Sequence, residues 1–118
     1  MVGESWGANY KDTKGDLGTG TMDSLLDFGF KDIAKMLVKG QMKATSDELA
    51  ARNLFINNSQ LLSQFLGSHD EDGFLYSIGK DLDKFKLAVS LLLTAKGQPV
   101  IYYGEELGQS GANNCTLL

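Results

Sequence analysis

The chain has 118 residues, 42% of them hydrophobic and 22% charged, with a formal net charge of -4. One domain is the ceiling at that length, with enough apolar residues for a workable core. An acidic chain has no electrostatic attraction for nucleic acid or an anionic membrane, so both are excluded as partners and neutral substrates stay open.

Met1 to Trp6, MVGESW, reads as a short strand whose end carries Glu4 and Trp6. Gly7 to Thr21 is polar and glycine-rich, which predicts a loop. Gly18, Gly20 and Asp23 have a partial phosphate-loop spacing, but no strand leads into them, so a flexible loop is the preferred reading. Ser24 to Phe28, SLLDF, is a second strand. Phe30, Ile33, Ala34, Leu37 and Val38 follow at spacings of three and four and predict an amphipathic helix, with Asp32 in its first turn and Lys39-Gly40 at its end. Thr45 and Glu48 have capping-box spacing and predict another helix running to about Asn53, with Leu49 and Ala50 on its inner side.

The third strand spans roughly Leu62 to Gly67 within QFLGSHDEDGF, Gln64 to Phe74. An apolar run that ends in a small, polar, charged turn is how a buried parallel strand delivers side chains to an open face. Leu82, Phe85, Val89 and Leu92 mark one face of a helix from Asp81 to Lys96, closed by Gly97. Pro99 to Tyr103, PVIYY, predicts a fourth strand buried on both faces, with Gly104-Glu105-Glu106 turning off its end.

Strands alternating with helices give a parallel α/β sheet with right-handed crossovers. No closing helix follows the fourth strand, so the chain is expected to be cut from a larger sheet. Its single cysteine, Cys115, rules out an internal disulfide and is read as incidental. No metal is expected, because Asp70, Asp72 and Asp81 lack an EF-hand's glycine and final glutamate in the right places. No cofactor is expected either. Met1-Val2-Gly3-Glu4 lacks the basic start and apolar segment of an export signal, and the apolar stretch Leu87 to Leu93 is too short to span a bilayer. A cytoplasmic location is therefore favoured, with the compartment otherwise unknown.

Three segments, in order, resemble the α-amylase family, glycoside hydrolase family thirteen. MVGESWG is similar to the segment ending the family's fifth barrel strand, FLGSHDEDGF to that of the seventh, and GQPVIYYGEELG to the eighth, with MDSLLDF where the sixth should fall. The resemblance implies that residues 1–118 form one partial (β/α)8 domain, strands five to eight of a TIM-barrel half, truncated at both ends. A complete barrel takes roughly 250 residues, about twice this length. Dimerisation is one way such a half-barrel could close.

By position, Glu4 matches the family's general acid/base, which protonates the departing glycosidic oxygen. Asp70 matches the carboxylate that holds substrate and stabilises the oxocarbenium-like transition state, and His69 the histidine that hydrogen-bonds sugar hydroxyls. Trp6 is either a sugar-stacking platform or a core indole. Read without the family, Glu4 and Asp70 would pair as acid and nucleophile, because retaining glycosidases place two carboxyls about 5 Å apart. The resemblance instead puts the nucleophile on a fourth-strand aspartate preceded by an arginine, a segment this chain does not contain. Arg52, its only arginine, falls in a predicted helix, and Glu105 and Glu106 receive no role.

The SHDEDGF turn most resembles pullulanase and neopullulanase. The function implied is part of a retaining α-glucan hydrolase, inactive alone for want of its nucleophile, acting on α-glucan or maltooligosaccharide. The alternative is a non-catalytic carbohydrate-binding or assembly module, with a second copy or the missing N-terminal half of the barrel as protein partner.

Overall fold

The computed structural model describes residues 1–11, 23–56 and 61–112. Gly18, Gly20 and Cys115 lie outside them. Four parallel strands form one sheet in the order β1-β2-β3-β4: β1 is Val2–Gly3, β2 Ser24–Asp27, β3 Leu61–Gln64 and β4 Gln98–Pro99. Helices α1 (Phe30–Val38) and α2 (Met42–Phe55) connect β2 to β3, while α3 (Phe74–Ser77) and α4 (Leu82–Thr94) connect β3 to β4. Chain order equals spatial order, the arrangement successive crossovers of one hand produce.

Alternation along the strands gives the sheet two different faces. Leu25 and Leu62, paired in register, pack with Ile56 on the helical side. Asp27 and Gln64, the next pair on that face, meet Arg52 of α2. The opposite face carries a polar row in which Ser63 Oγ lies 2.7 Å from Ser24 Oγ and donates to Gln98 Oε1 at 3.4 Å. The main core lies among the helices and the end of β3, built from Phe30, Ala34, Leu66, Phe74, Phe85 and Leu92.

Arg52 ties these layers together from a fully buried position. Its Nε donates to Asp27 Oδ2 at 2.7 Å, one Nη to Gln64 Oε1 at 2.7 Å and the other to the Lys96 carbonyl at 2.6 Å. The guanidinium lies over the Phe30 ring, 5.1 Å from its centroid. Gln64 passes the network on, donating to the carbonyls of Leu92 and Ala95 at the end of α4. Burial pushes the Asp27 carboxyl up, opposed by the charge and hydrogen bond of Arg52. Gly97 lets the chain pass this point: its φ is +132°, and a Cβ there would stand 2.9 Å from the Leu62 carbonyl oxygen.

Several expected boundaries change. The first strand is Val2–Gly3 rather than Met1 to Trp6, and the third ends at Gln64 rather than Gly67. The fourth is Gln98–Pro99, and Val100, Ile101 and Tyr103 are exposed instead of buried on both faces. The physical reason is position: among the described residues β4 has a neighbour on one side only, so the apolar run beyond Pro99 has a single ladder to join. The capping box also fails. The second helix starts at Met42, its Thr45 hydroxyl donates to the Gln41 carbonyl one turn back, and Glu48 instead accepts from Tyr10 and Lys11. The long helix keeps its predicted start, where the Asp81 carboxylate accepts from the Asp83 and Lys84 N–H groups at 3.1 Å, but ends at Thr94 with Leu82 and Leu93 exposed. No helix of the described residues is long and apolar enough to cross a membrane.

Candidate functional site

Because all four strands run the same way, their C-terminal ends lie along one edge of the sheet. Glu4 and Trp6 follow β1, Phe28 follows β2, Phe65 to Asp70 follow β3, and Tyr102 and Tyr103 follow β4. Glu4, His69 and Asp70 are exposed on that edge. The exits of β1 and β3 stand two strand spacings apart, roughly 10 Å of backbone separation.

An aromatic row crosses the same edge. The Trp6 ring lies 5.2 Å from Phe28, which meets Phe65 edge-on at 5.1 Å. Trp6 itself is 67% exposed, so it forms the open end of the row and is not a core indole. Phe28 and Phe65 are buried and fix its inner side.

Beyond β3 the turn is built from short-range contacts. The Asp70 N–H donates to Ser68 Oγ at 3.3 Å, and His69 Nε2 lies 3.1 Å from Asp70 Oδ2. Lys31 of α1 pairs with Glu71 and anchors the turn to the helical layer. Across from it, the hydroxyl of Tyr102 is held above its ordinary value, first by its hydrogen bond with Tyr103, then by desolvation, with smaller contributions from the charges of Tyr103 and Asp70. A cavity of about 200 Å³ opens between these exits, lined by His69, Glu71, Tyr102, Tyr103 and Glu105 among others.

Glu105, which sequence reasoning left without a role, is only 9% exposed, while its neighbour Glu106 faces solvent. Glu105 Oε2 accepts from the Tyr102 N–H at 3.2 Å, and its other oxygen is buried with no partner among the described residues. Burial raises its pKa to about 7, against the lowering effect of that hydrogen bond, with the nearby charge of Glu106 adding to the rise. The folded chain therefore holds this proton more tightly than the unfolded chain. Stability from this group is complete below its ordinary value of 4.5, falls as pH rises towards about 7, and is flat above. Thermal unfolding should show a chain less stable at about pH 8 than at about pH 5 by roughly 1–3 kcal/mol, and Glu105→Gln should remove that part of the slope.

A family profile described as "Alpha amylase, catalytic domain" matches residues 1–116. The chain belongs to the α-amylase family. Its relatives there include neopullulanase 2 of Thermoactinomyces vulgaris, 34% identical over 97% of this chain and 20% of that protein. A cyclomaltodextrinase of Geobacillus thermopakistaniensis is 31% identical over 97% of this chain, again 20% of its own length. Among solved structures, the cyclic α-maltosyl-(1→6)-maltose hydrolase of Arthrobacter globiformis superposes with a TM-score of 0.81 at 26% identity, over 97% of this chain and 26% of that one. The chain thus spans about a fifth of the curated α-amylase relatives and about a quarter of the solved one. The resemblance read from three strand exits agrees with this membership, and the parallel α/β sheet fits these neighbours.

Proposed function

We propose that the chain is the stretch of an α-amylase barrel carrying strands five to eight, and that its strand exits form one wall of an α-glucan-cleaving site. Glu4 protonates the departing glycosidic oxygen. Asp70 holds the substrate and, as a carboxylate, steadies the developing positive charge, while His69 hydrogen-bonds sugar hydroxyls and the exposed Trp6 face stacks on a glucose ring. The observation that carries this is the gathering of all four residues on the C-terminal edge of one parallel sheet, the edge on which barrel enzymes place their chemistry. The attacking carboxylate lies outside this chain, on another strand of the same barrel.

Without that nucleophile the two-step route through a covalent glycosyl intermediate is closed, and only water attack remains. The purified chain is expected to bind maltohexaose weakly and to release no measurable sugar from maltodextrin or pullulan. Turnover at an ordinary amylase rate that Glu4→Gln abolishes would sink the proposal.

The exposed apolar residues of both outer strands favour a second element of the reading. Val2 on β1, and Val100 and Ile101 following β4, leave apolar side chains and strand edges that a parallel sheet normally covers. The remaining half of the barrel, or a second copy acting as an assembly module, would cover them. Light scattering after size exclusion is expected to show a concentration-dependent dimer of the isolated chain. A well-folded monomer at all concentrations would contradict this part.

A further inference from the structure

The loop after β4 holds the His69-Asp70 turn at two points. At the entry, the Glu105 carboxyl occupies the space that Gly67 leaves by having no side chain: a Cβ on Gly67 would stand 2.8 Å from Glu105 Oε1. At the exit, the Gly73 N–H donates to the Gly111 carbonyl at 2.9 Å. Glu105 is itself fastened to the end of β4 through the Tyr102 N–H. Gly67 and Glu105 are buried beneath a turn whose His69 and Asp70 are exposed, so the buried pair is the seat and the exposed pair the working side.

We propose that Glu105 is a positioning residue for this turn: its carboxyl, seated against the bare Gly67 backbone, sets where His69 and Asp70 stand, and it does so as the neutral acid. Oε1 has no donor among the described residues and abuts the turn at Gly67, and a carboxylate in that place would be a buried charge with one oxygen unpaired. The groups around it do not supply the missing countercharge. Glu71 and His69 from the turn and Tyr102 and Tyr103 from the end of β4 line the cavity with it. Glu106 of its own turn and Lys86 of α4 line the groove on its other side. Lys86 is exposed, and no ion pair joins it to Glu105 among the described residues. On losing its proton the carboxyl must draw in water or swing away from Gly67, and either movement shifts the turn. What the turn then does to a sugar rests on the α-glucan reading, whereas the hold of Glu105 on the turn does not.

The test is a pH titration of the whole chain, labelled with ¹³C at the glutamate carboxyls and with ¹⁵N, followed by NMR. The Glu105 carboxyl carbon and the amides of Gly67, Ser68 and His69 should share one midpoint near 7. Glu105→Gln should remove that midpoint from the three amides. His69→Gln should keep it, which shows that the midpoint does not arise from the imidazole. The proposal is overturned if the amides titrate unchanged in Glu105→Gln, if His69→Gln abolishes the shared midpoint, or if the carboxyl titrates while the amides stay still. Should Glu105→Gln fail to fold, the wild-type and His69→Gln titrations still decide it. Maltohexaose affinity should fall about fivefold between pH 6 and pH 8 in the native sequence and stay level in Glu105→Gln. If maltohexaose does not bind at any pH, the α-glucan reading fails and the amide titration alone judges Glu105.

Discussion

Arg52→Ala should lower the folding stability of the chain by about 3–5 kcal/mol. The substitution strips Asp27 of its cation, Gln64 Oε1 and the Lys96 carbonyl of their donors, and opens a void beside Phe30. Removing one partner of a fully buried ion pair costs about 3–5 kcal/mol, because the other is left as an uncompensated buried charge. Domains of this size hold about 5–15 kcal/mol in total, so the loss is a large share of the margin. Replacing both partners behaves differently, since two apolar side chains of similar volume leave no buried charge unpaired. Arg52→Met combined with Asp27→Leu should therefore be more stable than Arg52→Ala alone, although Gln64 Oε1 and the Lys96 carbonyl still lack their donor and the Gly29 N–H its acceptor. Chemical denaturation of the single and double variants checks this. A loss below about 1 kcal/mol for Arg52→Ala would show that the network orients the layers without stabilising them.

That network also shows why the sequence is legible in parts. The stripe Phe30, Ile33, Ala34, Leu37 and Val38 is readable because helical period and burial coincide, and the structure buries all of it but the half-buried Leu37. Strand lengths are less readable, since a strand extends only as far as a neighbour pairs with it, and PVIYY lies at an edge of the described sheet. From the sequence Arg52 is only a charge within a predicted helix. A signal was available: Leu25 and Asp27, like Leu62 and Gln64, alternate onto one face, so each apolar strand ends its inward row on a polar group that needs a buried partner. Arg52 also falls at helical spacing between Leu49 and Ile56. Glu105 offered no such signal, because nothing local separates it from Glu106, and only the fold buries one and exposes the other. The position of Glu4, Trp6, His69 and Asp70 at strand exits was legible, because short apolar runs stop there at polar or aromatic side chains. The Phe28 and Phe65 support behind Trp6 was not, since it joins residues from three separate strand exits.

The second large effect concerns catalysis, and it requires the rest of a barrel. The stretch of neopullulanase 2 that matches this chain would be replaced by the chain itself, and pullulan hydrolysis by the hybrid measured beside its Glu4→Gln and Asp70→Asn variants. In the role proposed for Glu4, Glu4→Gln keeps shape and hydrogen bonding but cannot deliver a proton to the leaving oxygen, and loss of a general acid/base costs about 10²- to 10⁴-fold. Asp70→Asn removes the negative charge proposed to steady the transition state, and removal of such an electrostatic group costs roughly 10²- to 10³-fold. Both variants should keep the circular dichroism spectrum and unfolding midpoint of the hybrid, since both side chains are exposed at strand exits. The predicted result is an active hybrid that either substitution disables by at least about a hundredfold without loss of fold. An active hybrid whose Glu4→Gln variant cleaves pullulan within about threefold of the parent would contradict the assignment of this edge as the catalytic wall.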